Sequence, residues 1–205
     1  TETNVPLTFY DNFTDIVKYN FVHTMNNMGN PDTMIIDPVL KYRVVAHTIP
    51  PVESKVITIL PGEHTVIPLK TPQGKLKITI KTKEDYQFIV KQSNQNETIN
   101  VQKINNSQSY LTGFYDIELL TLPRQYFKNI RINQNQLTQL QLPSTGLANI
   151  LLPANGYGGV YLKDGDMLRE IYKFNGESNQ YKLTLLPGKY KVIYRSKSSK
   201  KYIYT

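Results

Sequence analysis

The period of the apolar residues is the tightest constraint on what this chain can fold into. Leu76-Lys77-Ile78-Thr79-Ile80 alternates strictly, as do Ile130-Arg131-Ile132 and Leu140-Gln141-Leu142. A period of two puts apolar side chains on one face of a pleated strand and polar ones on the other. Thr, Val, Ile and Tyr dominate these segments and suit a half-buried sheet surface. Turn signals interrupt them at Pro61-Gly62, Asn155-Gly156, Asp164-Gly165, Asn175-Gly176 and Pro187-Gly188. Short strands punctuated in this way predict an all-β sandwich or barrel. The best helix candidate, Asp166 to Phe174, is short and lacks an amphipathic face, so it reads as strand or irregular connection. The Asn/Gln-rich stretch from Gln92 to Gln108 reads as a hairpin with a long polar loop, because Thr98-Ile99-Asn100-Val101 still alternates.

Self-similarity sets the expected organisation. Tyr42, Tyr115 and Tyr190 lie 73 and 75 residues apart, and each is followed by apolar residues two and four positions on. Six to eight positions on, Thr48-Ile49-Pro50 matches Thr121-Leu122-Pro123. Further matches are Ile59 with Ile132, Ile67 and Leu69 with Leu140 and Leu142, and Tyr86 with Tyr161. The turns Leu111-Thr112-Gly113 and Leu186-Pro187-Gly188 precede the reference tyrosines. A frame shared over several strands predicts tandem small β-sandwich modules, transthyretin-like or immunoglobulin-like, over 1–72, 73–145 and 146–205. The third copy is expected to be truncated and completed by strands such as those holding Phe9 or Phe21, or by further residues.

Composition narrows the chemistry. The 205 residues include no Cys and no Trp, which excludes disulfides, thiolate metal sites and a Cys nucleophile. No apolar run approaches the roughly 18–20 residues of a membrane helix, so no transmembrane segment is expected. The chain opens at Thr1 without a signal peptide, as a processed or excised chain would. The net charge of +8 is densest at Lys189, Lys191, Arg195, Lys197, Lys200 and Lys201. That run reads as a solvated strand face rather than a polyanion site. Tyr190-Lys191-Val192-Ile193-Tyr194-Arg195 has the interleaving of a nucleic-acid-binding strand, but its counterpart carries Asp116 and Glu118, so nucleic acid is not an expected partner.

His23, His47 and His64 lack metal-ligand spacing, although neighbouring strands would be able to bring His23 and His47 together. Gly156-Tyr157-Gly158-Gly159 precedes a strand and reads as a turn or bulge, not a phosphate loop. Asp164 and Asp166 at a hairpin tip, and Asp11 and Asp15 in a similar polar loop, read as turn residues rather than acid–base pairs. Calcium binding by Asp164-Gly165-Asp166 lacks the oxygen-ligand pattern it would need. No catalytic, metal or cofactor residue is therefore predicted. Tyr157, Tyr161, Tyr172, Tyr202 and Tyr204 crowd the last third, where they would fill sandwich cores or form a strip for a glycan.

Several segments together resemble a known region. These are Val5-Pro6-Leu7-Thr8-Phe9-Tyr10, Tyr19-Asn20-Phe21-Val22-His23-Thr24-Met25-Asn26, Gly29-Asn30-Pro31-Asp32-Thr33 and His47-Thr48-Ile49-Pro50-Pro51-Val52. Thr71-Pro72-Gln73-Gly74, Leu120-Thr121-Leu122-Pro123-Arg124 and Leu185-Leu186-Pro187-Gly188-Lys189-Tyr190 belong with them. They resemble the β-rich part that follows the von Willebrand factor A domain in proteins of the Bacteroidota. The Leu186-Pro187-Gly188-Lys189-Tyr190-Lys191-Val192 turn and strand is also similar to PEGA and carboxypeptidase-regulatory sandwich modules. The resemblance implies an extracytoplasmic place in periplasm, envelope or medium, and a non-catalytic accessory or interaction role. Its partner would be another protein or the adjacent A domain. Carbohydrate binding through exposed tyrosines is the alternative. No Asp here is followed by Ser two positions on, so the metal-binding Asp-x-Ser-x-Ser motif of an A domain is not in this chain.

Overall fold

The computed structural model describes residues 4–25, 27–31, 33–197 and 203–204. Among these there is no helix, and the ordered elements are strands. The fold is all-β, as the alternation predicts. The chain divides into two compact units. One comprises Thr1–Leu76, Ser107–Phe114 and Arg131–Thr138; the other comprises Lys77–Asn106, Tyr115–Ile130 and Gln139–Thr205.

The first sheet holds β1 (Val5–Asp11), β2 (Val17–His23), β3 (Lys41–Ala46), β4 (Val52–Glu53) and β5 (Ile57–Thr58). Its order is β2-β1-β3-β4, with β5 also paired to β3. The register sets Phe9 between Tyr19 and Val44, and Tyr42 opposite Asp11. Phe9, Tyr42 and Val44 are buried, and Phe9 meets Tyr19 and Tyr42 edge to face with ring centroids 6.3 Å apart. Such pairs add about 0.5–1.5 kcal/mol beyond their burial. On that face lie Met34, Ile36, Ile67 and Leu69, half-buried on segments that belong to no strand.

The middle of the chain forms β6 (Gln73–Thr79), β7 (Gln87–Gln92), β8 (Thr98–Lys103), β9 (Ser107–Leu111), β10 (Gly113–Leu119), β11 (Gln125–Ile132) and β12 (Leu137–Gln141). Two sheets result, ordered β11-β10-β7-β8 and β12-β6-β9. The Asn/Gln-rich stretch is the β7–β8 hairpin, with Phe88 opposite Gln102 and Val90 opposite Asn100. Its loop is shorter than the sequence suggests, because polar residues occupy outward strand positions as well as turns. The last third forms β13 (Gly146–Leu151), β14 (Gly156–Asp164), β15 (Met167–Asn175), β16 (Gln180–Leu185), β17 (Tyr190–Ser196) and β18 (Ile203–Tyr204). These make a β13-β16 pair and a sheet ordered β15-β14-β17-β18. The helix candidate is thus strand β15.

Three sheets share one strand order: β2-β1-β3-β4, β8-β7-β10-β11 and β15-β14-β17-β18. In each, a hairpin comes first, the third strand pairs on the far side of the first, and the fourth follows the third. Tyr42, Tyr115 and Tyr190 lie at or near the start of the third strand in each.

The glycine cluster owes its composition to neighbouring backbone. Asn155-Gly156 is not a hairpin turn, since Gly156 opens β14, a strand flanked by β15 and β17. A Cβ at Gly158 would lie 2.0 Å from the Ile193 carbonyl oxygen, and φ there is +141°. At Gly159 it would lie 2.4 Å from the Tyr172 carbonyl oxygen. Only glycine lets both flanking strands approach this closely. Gly158→Ala is therefore expected to destabilise the chain by about 2–4 kcal/mol, read as a lowered midpoint in urea unfolding.

Candidate functional site

The repeated Thr-x-Pro segments lie where one stretch of backbone is tied to a distant one. Thr48 donates its hydroxyl hydrogen to the Pro50 carbonyl at 2.6 Å, and Thr121 donates to the Pro123 carbonyl at 2.8 Å. Both hydroxyl groups are on buried residues. The peptide bonds before Pro50 and Pro123 are cis. The carbonyl of Ile49 accepts from the Leu111 N–H, and that of Leu122 accepts from the Leu186 N–H, each at 2.8 Å. Leu111 and Leu186 are the leucines of the two matching Leu-x-Gly turns. One local device and one long-range link therefore occur twice, each link inside one compact unit. The second link has company: Tyr86 donates to the Thr184 carbonyl at 3.1 Å, and Thr184 donates to Glu84 at 2.8 Å.

The first unit also holds an open cleft of about 720 Å³, lined by Asn4, His47, Gln73, Lys75, Ser109 and Gln136 among others. Gly74 lies in its wall, where a Cβ would come within 2.1 Å of the Asn133 carbonyl oxygen. His47 is exposed, and its Nε2 is 2.7 Å from the Thr8 hydroxyl, which donates to Asn20 Oδ1 at 2.9 Å. A hydroxyl has one hydrogen to give, so Nε2 carries the donated proton in this chain of bonds. His23 pairs with Val5 on β2, and His47 follows β3, so β1 separates them and the two imidazoles are not brought together. His64 is exposed. Among the described residues, no three His, Asp or Glu groups converge as a metal site would require.

The carboxylates divide by environment. Asp164 and Asp166 flank the tight turn at Gly165, both exposed. Asp15 is exposed and ion-paired with Arg43, which also bonds Glu53 at 2.8 Å and lies 4.6 Å over the Tyr10 ring. Asp11 departs from the solvated loop residue expected of it. It ends β1, is buried, and accepts the Phe13 N–H at 2.9 Å. That bond, helped by Thr14 and Lys18, holds its carboxyl below the usual range against the opposing effect of burial. Asp116 is held low by the Asn129 N–H and then by the Ser93 hydroxyl, at 2.9 and 2.7 Å.

No family model and no curated protein matches this chain.

The aromatic residues mostly serve the interior. Tyr42, Tyr110 and Tyr115 are at most 1% exposed, and Tyr172 packs with Phe174 and Tyr181. Phe174 and Tyr181 stack at 4.4 Å. Tyr157 is 46% exposed, with Lys197 5.7 Å from its ring, and Tyr126 is 57% exposed. Tyr161 is half-buried and donates to Glu170 at 2.9 Å. Tyr202 lies outside the described residues, as do Lys200 and Lys201; of Tyr204 the backbone is placed, in β18. On β17, Tyr190, Val192 and Tyr194 pack into the core, while Lys191 and Arg195 alternate onto the other face. Among the described residues, no helix is long and apolar enough to cross a membrane.

Sequence reasoning found the Thr-x-Pro repeat but not its hydrogen bonds; a Thr two residues before each Pro was the available signal. It missed the 720 Å³ cleft, whose walls come from segments far apart in the chain. Two outcomes follow. Thr121→Val keeps the shape but strips the Pro123 carbonyl of its hydroxyl donor, and a loss of about 1–2 kcal/mol is expected in chemical unfolding. The depressed Asp11 and Asp116 carboxyls stabilise the folded state above their ordinary value of 3.8, and that contribution disappears as pH falls through their lower folded values. Melting temperature should therefore fall on acidification below about pH 4, and Asp116→Asn should flatten that fall, as followed by circular dichroism from about pH 6 to pH 2.

Proposed function

We propose that this chain is a non-catalytic interaction region of an exported or cell-envelope protein, built of serial β-sandwich modules over 1–72, 73–145 and 146–205. It spaces or presents a partner domain and binds through strand edges and loops. The observation that supports this reading is the recurrence of one backbone link, Ile49 carbonyl to Leu111 N–H and Leu122 carbonyl to Leu186 N–H. A spacer needs successive modules joined in a fixed way, and a backbone hydrogen bond beside a buried Thr-x-Pro segment restricts that joint more than a flexible linker would. The shared strand order of three sheets supports the same division of the chain. Unpaired strand edges supply backbone groups to a partner, and loops supply side chains. The resemblance to the region beside a von Willebrand A domain suggests the partner: that domain, or another protein of the envelope.

The test exploits the absence of cysteine. Nitroxides at Val101→Cys and Lys182→Cys, both exposed strand positions, report across the Leu122–Leu186 link. A single narrow distance distribution by electron paramagnetic resonance is expected, whereas a broad one would defeat the spacer reading. The glycan alternative rests on the exposed rings of Tyr126 and Tyr157. Glycan-array binding lost on Tyr126→Ala or Tyr157→Ala would favour it instead.

A further inference from the structure

The two places where the Thr-x-Pro link recurs differ in what occupies the space beside it. Leu7 pairs with Ala46 and Phe88 with Leu119, and Ala46 and Leu119 each lie four residues past their reference tyrosine. The His47 N–H bonds the Pro6 carbonyl at 2.9 Å, and the Leu120 N–H bonds the Gln87 carbonyl at 3.0 Å, which extends the same match. Val5 therefore stands where Tyr86 stands. Ser109 stands where Thr184 stands, since each lies two residues before the leucine of its link. Beside the second link, the Tyr86 phenol bonds the Thr184 carbonyl and the Thr184 hydroxyl bonds Glu84. Beside the first, Val5 has no phenol to offer, and Val5 and Ser109 line the open cleft of about 720 Å³.

Backbone bonds set the walls of this cleft before any ligand arrives. Lys75 donates its N–H to the Gln136 carbonyl at 2.8 Å, and Asn135 donates its N–H to the Gln73 carbonyl at 2.9 Å. Asn4 and Asn135 have φ of +61° and +56°, a conformation that most side chains avoid and Asn tolerates. The side-chain amides of Asn4, Asn135 and Gln136 line the cleft, and an amide both donates and accepts. The Gln136 oxygen already accepts from Asn133 at 3.3 Å, so Nε2 is the group it has to give. His47 Nε2 carries the proton donated to Thr8, which makes Nδ1 an acceptor. Lys75 is exposed and, among the described residues, forms no ion pair. Among the described residues that line the cleft there is no Asp, no Glu and no aromatic ring.

We propose that this cleft is a saccharide site, which takes a sugar unit bearing a carboxylate, such as a hexuronic acid in a glycan chain. Sugar hydroxyls donate and accept at once, as the facing amides do, so each hydroxyl finds both kinds of partner there. Lys75 pairs with the carboxylate, and no lining acid repels it. Val5, Pro6 and Leu137 give the C–H face of the ring an apolar surface. A nucleotide fits less well, because a single cation meets its phosphates and no ring stacks on its base. The site goes beyond the spacer reading and is independent of it, and it rests on neither Tyr126 nor Tyr157.

The test titrates the whole chain by calorimetry with short acidic glycans: tetragalacturonate, tetramannuronate, a hyaluronan tetrasaccharide and sialyllactose. Saturable binding to at least one of them is expected. The methyl ester of that glycan should bind at least about tenfold more weakly, because it lacks the charged acceptor of the Lys75 bond. Lys75→Gln should weaken binding of the acid form by about as much, for the same reason. Val5→Tyr restores the phenol found beside the second link and should abolish binding. Should that variant not fold, Gln136→Ala on the exposed wall should also weaken binding. Absence of saturable binding to all of these glycans would overturn the proposal. So would binding that survives Lys75→Gln but falls on Lys189→Gln, which would place the glycan on the basic run beside β17. Hexaglutamate competing as well as the glycan would mean that the cleft reads charge alone, and would overturn it too. A narrow spin-label distribution without glycan binding sinks this site alone, and glycan binding with a broad distribution sinks the spacer alone.

Discussion

The buried phenol hydroxyl is the group this structure has to accommodate everywhere. With 15 tyrosines, 7 phenylalanines and neither Trp nor Cys, the cores take much of their aromatic bulk from a side chain with a polar end. Each buried hydroxyl needs an acceptor, because leaving one unmade costs about 1–3 kcal/mol. Tyr42 donates to the Asp37 carbonyl at 2.8 Å, Tyr194 to that of Ala154 at 2.7 Å, Tyr181 to that of Ser178 at 2.9 Å, and Tyr190 to that of Leu186. The acceptors are loop carbonyls, so the same bonds that satisfy the core also hold the connections between strands. Burial pushes the Tyr42, Tyr86 and Tyr190 hydroxyls up from their ordinary range, which keeps them protonated as donors. Among the described residues, no buried side-chain polar atom lacks a partner.

The same economy governs the connections. Thr48 and Thr121 hold the Thr-x-Pro bends from inside, Asp11 ties the β1–β2 turn to its own strand, and Asp116 links Ser93 to Asn129. A chain without disulfides relies on short polar side chains bonded to backbone to fix its loops. Those bonds need no precise sequence spacing, only a Ser, Thr or Asp that ends up beside an unpaired amide or carbonyl. That is why Asp11 looks in sequence like any polar loop residue, and why its burial comes from the sheet around it.

Strand arrangement, rather than strand existence, decides which segments of this chain meet. The order shared by three sheets puts Tyr42, Tyr115 and Tyr190 in one structural role and sets the Leu-x-Gly turns against the Thr-x-Pro bends. The first unit carries the sheet β2-β1-β3-β4 but leaves the segments opposite it without a ladder.

The local code was legible residue by residue. Period-two alternation marked strands such as β6 and β12, and the spacing of Tyr42, Tyr115 and Tyr190 marked the third strands, because a pleat forces alternation wherever one face is buried. The Gly156-Tyr157-Gly158-Gly159 stretch was legible as strand punctuation, but not as three positions where neighbouring backbone leaves no room for a Cβ; that depends on β15 and β17, which follow later in the chain. Likewise, His23 and His47 had the same local strand context, and only pairing on opposite sides of β1 kept them apart. Sequence alone determined the all-β class, the strand faces and the repeated frame, since these follow from neighbouring residues and their periods. Tertiary structure decided which strands are neighbours, which polar groups are buried and which segments lack a ladder, because each depends on contacts between residues that the chain order does not bring together.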